Sequence, residues 1–161
     1  WAQFEIPSMS DDNPVQELNQ DQIRLGTQKG LKKYEKLSFL EEYAMFMGVA
    51  QLLELGLKNL LVEKHGYDLE KLERKTLGQT KKELEKVKLR PDFLKLLQSV
   101  VDYRNYIAHE ILANRGLYFS IVGDKVPEGH YDKEHRLLHK AIYELEQLVF
   151  LFQWTNENDA W

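Results

Sequence analysis

The sequence predicts an all-α fold, a compact helical bundle of about five helices with a short loop or hairpin insertion before the last one. Three observations lead there. Apolar residues recur at three- and four-residue intervals over 39–64, from Pro91 to Leu112 and over 133–154, the period of a helix with one buried face. Helix start and stop signals bracket the first of these runs, Ser38 with Glu41 three residues on and then Gly66. One short β-prone run, Leu117 to Val122, interrupts the pattern.

Taken in order, 1–13 is polar and acidic and reads as a flexible tail. Within it, residues 1–8 read as vector-derived or as a trimmed upstream part, with Met9-Ser10 as a native start. Pro14 can open a helix over 15–36, where Val15, Leu18, Ile23 and Leu25 are sparse apolar points and Gly26 and Gly30 weaken it. Helix 39–64 is apolar over a broad face, from Phe39, Tyr43 and Phe46 to Leu57, Leu60 and Leu61, and is expected to be buried on more than one side. Gly66 ends it, and Asp68 caps a short helix through about Arg74. A further charged helix spans Thr76 to Lys88. Pro91 suits a first helical turn, where its missing N–H has no partner to lose, and that helix is expected to stop near 114–116. Residues 117–131 are read as the loop or hairpin. Asp132 then caps a last helix over 133–154, whose Leu137, Leu138, Ala141, Leu145 and Leu148 make a core or dimer face. The domain is 14–154, and 155–161 is a polar C-terminal tail.

Composition narrows the function classes. With 161 residues, 43% of them hydrophobic, the chain can bury one core. No apolar run approaches the roughly 20 residues that span a bilayer, and no signal-peptide pattern appears. The expectation is a cytoplasmic protein with no membrane partner. Zero cysteines exclude disulfides and thiolate metal sites. A net charge of −4 argues against a general nucleic-acid coat. Five acidic residues against Arg24 place that excess within 1–28, whereas ten Lys or Arg against six Asp or Glu give 64–95 a local +4. Such a run either guides a phosphate backbone or is a solvated helix face.

The helix from Pro91 carries the chemistry. Arg104 falls inside its apolar stripe, where a charge must reach past its neighbours or be held by a partner. Asn105 and His109 are four apart and share a face, and in a regular helix Arg104 stands about 140° around from His109. His135 and His139 are also four apart, a spacing that can present two rings to one metal ion, but they lack the Glu of H-E-x-x-H and an identifiable third ligand. No metal or cofactor is expected. Phosphate-binding glycine loops and the G-x-S-x-G elbow are absent.

The string Arg104-Asn105-Tyr106-Ile107-Ala108-His109 resembles the R-x4-H motif of HEPN domains, with Asn in the position after Arg that is commonly polar. The resemblance covers roughly 38–154, mostly through architecture. It implies a compact helical bundle, a homodimer with the motifs meeting at the interface, and a metal-independent endoribonuclease acting on RNA, of the kind found as toxins and in antiviral defence. By position, Arg104 would polarise the phosphate, His109 would be the acid or base, and Asn105 would orient one of them. It also implies an antitoxin or regulatory protein as a partner. The subclass paired with a nucleotidyltransferase antitoxin has Tyr two residues after the motif His, whereas this chain has Ile111. A non-catalytic HEPN-like module binding a protein or nucleotide is the alternative reading, and a structural bundle with a salt-bridged Arg104 is a third.

Overall fold

Local capping sets most of the helix starts. The computed structural model describes residues 17–123, 125 and 127–161. The first helix, α1, is Gln20–Leu31, followed by a 3-10 turn at Lys32–Tyr34. Asn19 caps it reciprocally with Gln22, each side chain accepting from the other's backbone N–H. The same device, Ser38 with Glu41, opens α2, Phe39–His65, and Gly66 closes it at φ 68°, where glycine meets no Cβ penalty. Asp68 caps α3, Leu69–Glu73. Thr76 with Gln79 caps α4, Leu77–Lys86. Pro91 stands in the first turn of α5, Pro91–Tyr106, which continues through a π turn, Ile107–Ile111, into α6, Leu112–Val122. The last helix, α7, is Asp132–Glu157. No strand occurs among the described residues.

Four rods close a ring: α2 packs on α4, α4 on α5, α5 on α7 and α7 on α2. Phe46, Leu57, Leu61, Leu84, Leu97 and Leu145 fill its interior, all fully buried, and dry apolar packing of this kind is the main source of stability for helices. Outside the ring α1 lies on α7, and α3 lies on α2. Gly26 and Gly30, expected to weaken the first helix, are what lets it dock. A Cβ at Gly26 would stand 2.2 Å from the Phe150 ring, and one at Gly30 would stand 2.4 Å from the Glu146 carboxylate.

Several boundaries differ from expectation, for physical reasons. The first helix starts at Gln20 rather than 15, because Asn19 and Gln22 supply its cap; the expectations for 1–13 and for Pro14 fall outside the described residues. The motif helix does not stop near 114–116, and 117–122 is helix rather than hairpin. Once a helix is nucleated, each further residue adds a hydrogen bond without a new nucleus, which outweighs the β propensity of a short run and one glycine. Gly123, at φ 62°, ends it. Asp132 is the first residue of α7 and not its cap; Tyr131 holds that position. The polar C-terminal segment is packed: Asp159 pairs with Lys64, the Ala160 carbonyl accepts from Arg90 at 3.2 Å, and the Trp161 ring meets Phe93 edge-on at 5.2 Å.

Among the described residues α2 is the one helix that, by length and apolar composition, could cross a membrane. Its two central charges, Glu54 and Lys58, neutralise each other at 2.7 Å. A core helix packed on α3, α4 and α7 has the same composition.

Candidate functional site

The site is built on the rod formed by α5, the π turn and α6. Phe93, Leu97, Val100 and Val101 are buried on α5, and Ile107 and Ile111 are buried at the two ends of the π turn. Gly78 lets α4 come close, since a Cβ there would lie 3.3 Å from Val101 Cγ1. These contacts fix the helix about its axis and leave Asn105 and His109 facing solvent, with Arg104 half-buried.

The π turn changes the geometry of the motif. Its bonds run from residue i to i+5, and such single turns occur frequently at functional sites. A regular α-helix rotates residues five apart by about 140°. Underwinding from Ile107 onward reduces the rotation between Arg104 and His109, so the two side chains stand closer in azimuth than the sequence implied.

Arg104 is not salt-bridged among the described residues. Its Nη1 donates to Asn105 Oδ1 at 3.4 Å, a long contact that aims the guanidinium without neutralising it. No hydrogen bond or ion pair of the His109 ring occurs among the described residues. The neighbouring Asp102 accepts from Gln98 at 2.8 Å. Directly before Arg104, Tyr103 lies beside Lys140 of α7, with the ammonium 6.0 Å from the ring centroid, and the bond to Tyr103 raises the Lys140 pKa above the usual lysine range. Arg104, Asn105 and His109 thus lie on one rod, and among the described residues Arg104 has no carboxylate partner and the His109 ring no hydrogen-bond partner.

The remaining candidates are used elsewhere. Much of the basic segment is paired internally: Lys75 and Lys86 hold Glu83, Lys81 holds Glu85, and Arg90 holds Asp92. His139 bonds Glu42 of α2 at 2.9 Å, and His135 stacks on Phe39 with centroids 4.4 Å apart. No cluster of three or more metal-ligating side chains occurs among the described residues.

Two features had little signal in the sequence. The Arg115 guanidinium is held between the Phe39 and Tyr131 rings, 4.0 and 4.1 Å from their centroids, and ties the rod to α2 and to the start of α7. Its one cue is a lone cation in an apolar segment. A groove of about 1260 Å³ runs between the starts of α1 and α5, the length of α7 and the C-terminal residues, lined by Phe93, Lys95, Lys140, Tyr143, Trp154 and Trp161 among others. Its lining reaches Ser99 and Lys140, about a turn short of Arg104 along the rod.

No family model matches this chain, and neither a curated protein nor a solved structure matches it.

Proposed function

We propose that the chain is a metal-independent endoribonuclease of the HEPN type. The observation that carries this reading is the π turn at Ile107–Ile111, which presents His109 to solvent on the same rod as an Arg104 that no carboxylate among the described residues neutralises. Cleavage of RNA by its own 2′-hydroxyl needs a base for that proton, positive charge at the phosphorane-like transition state, and an acid for the departing 5′-oxygen. Imidazole titrates near neutral pH and suits both proton transfers, and a forked guanidinium suits the phosphate oxygens. In this scheme one His109 takes the 2′-proton as O2′ attacks phosphorus. The P–O5′ bond breaks, and a second His109 gives its proton to O5′, leaving a 2′,3′-cyclic phosphate and a 5′-hydroxyl. One imidazole cannot easily reach both oxygens, so the reading uses two copies related by a two-fold axis. Asn105 positions Arg104 through its Oδ1.

Such an enzyme fits a cytoplasmic toxin or antiviral-defence effector held in check by an antitoxin or regulatory protein. A second reading, a non-catalytic module binding a protein or nucleotide, is favoured by the internal pairing of Lys75, Lys81, Lys86 and Arg90, which engages four of the ten 64–95 cations.

The test is incubation with mixed RNA in excess EDTA. The protein should release fragments with cyclic phosphate ends. His109→Ala and Arg104→Ala should each lose about 100-fold or more, the scale of a lost general acid–base or charge-stabilising group, with unchanged helicity by circular dichroism. Cleavage persisting in both variants overturns the assignment, and folded, inert wild-type protein supports the module.

A further inference from the structure

The outer face of α2 is self-complementary. At about 100° per residue, Glu41, Ala44, Gly48, Leu52, Leu55 and Asn59 fall within a stripe roughly 80° wide. The side chains on it are open to solvent: Leu52 is 70% exposed and Leu55 52%, and a Cβ at Gly48 would meet nothing within 4 Å. Glu41, Ala44 and Asn59 are likewise exposed. In chain order the stripe reads carboxylate, small, small, large, large, amide, followed by Val62, which is half-buried against the core. Reversed against itself about the level of residue 50, it sets Glu41 level with Asn59, Gly48 level with Leu52, and Ala44 within one residue of Leu55. Each leucine meets a gap left by a small residue, and each carboxylate meets an amide N–H donor. Glu41 can accept it, because its capping bond from the Ser38 N–H occupies Oε2 and leaves Oε1 open.

We propose that a second copy of this chain packs antiparallel on this face, α2 against α2, about a two-fold axis near residue 50. An isologous contact needs a surface that is its own complement, and exposed leucines facing small residues give the close helix approach that ridge-into-groove packing requires. Glu41 is the one charge on the stripe. A parallel register would set it against its own copy and leucine against leucine, whereas the antiparallel register sets it against a neutral donor near the other helix's C-terminal half. The seam is separate from the motif rod, whose contact with α2, Arg115 over the Phe39 ring, lies about 160° around the helix from Glu41. It does not rest on the ribonuclease reading.

The chain has no cysteine, so Ala44→Cys and Leu55→Cys chains would each carry a single thiol at an exposed position. In the antiparallel seam positions 44 of two copies lie about 18 Å apart along the axis, and positions 55 about 15 Å, beyond disulfide reach. After subunit exchange and mild oxidation, the mixture should cross-link in about half of its pairs, and each variant alone should stay uncross-linked. Independently, Leu52→Glu should halve the mass measured by sedimentation with helicity intact. Because position 59 faces Glu41 of the other copy, Asn59→Lys should tighten the seam and Asn59→Glu should loosen it. No cross-link in the mixture, or equal cross-linking of each variant alone, overturns the proposal. So does a monomeric wild-type chain whose α2 face binds neutral lipid vesicles.

Discussion

Glu146 shows how a single buried carboxylate fixes the place of a whole helix. It is 2% exposed and accepts from Lys33 Nζ at 2.7 Å and from the Tyr34 hydroxyl at 2.9 Å. The room for it comes from Gly30. Replacing Glu146 by Ala leaves the buried Tyr34 hydroxyl without its acceptor, which costs about 1–3 kcal/mol; urea denaturation should show that loss, and a change under about 0.5 kcal/mol would contradict the role. None of this was legible in the sequence, because Tyr34 and Glu146 stand 112 residues apart. Interactions that close within four residues were legible: the capping box at Ser38, the Asp68 cap and the left-handed Gly66 formed where the residue order indicated. At the site, the order of residues gave the position of Arg104 on an apolar stripe. It did not give the lack of a carboxylate partner, which depends on what the other helices bring near.

At the scale of elements, the rod from Pro91 to Val122 holds one feature that no propensity scale signals. A π turn takes one more residue per turn than the α-helix on either side of it. Ile107 and Ile111 both reach the core, and Ala108-His109-Glu110 lie between them in the π turn. Periodicity counts apolar positions and is nearly blind to one residue gained inside a short interval, so the sequence reading took this segment as regular helix. Deleting Ala108 should return the rod to α-helical register on both sides, with far-UV helicity and thermal midpoint preserved. Under the ribonuclease reading it should also abolish RNA cleavage, because Arg104 and His109 lose their relative placement. Full activity in the deletion variant would refute any role for the π turn. The same rod ran past its expected end for a cooperative reason, as helix elongation overrode the local preference of Leu117 to Val122.

For the molecule as a whole, stability should fall at two separate pH edges with different owners. Hydrogen bonds from Lys86 and then Lys75 hold the Glu83 carboxyl below its ordinary 4.5, and the bond from Arg90 holds Asp92 below its ordinary 3.8. A depressed carboxylate contributes stability above its unfolded pKa and loses it as pH falls through the folded one, so the acid edge lies below these ordinary values. Tyr34 works in the opposite sense. Burial first, and then the Glu146 charge beside it, push its hydroxyl well above the ordinary 10.0. Above that pH the unfolded chain gives up the proton while the folded chain keeps it, so the folded state binds more protons and stability declines as pH rises. The Lys140 ammonium, whose bond to Tyr103 holds its pKa above the ordinary 10.5, adds to this limb in the same sense. Tyr34→Phe should therefore lower stability near neutral pH, by loss of the bond to Glu146, and flatten the alkaline limb relative to wild type while leaving the acid limb unchanged. Urea midpoints measured at steps from about pH 3 to 11 separate the two owners: an alkaline slope as steep in the Phe variant as in wild type would assign that edge to Lys140 alone.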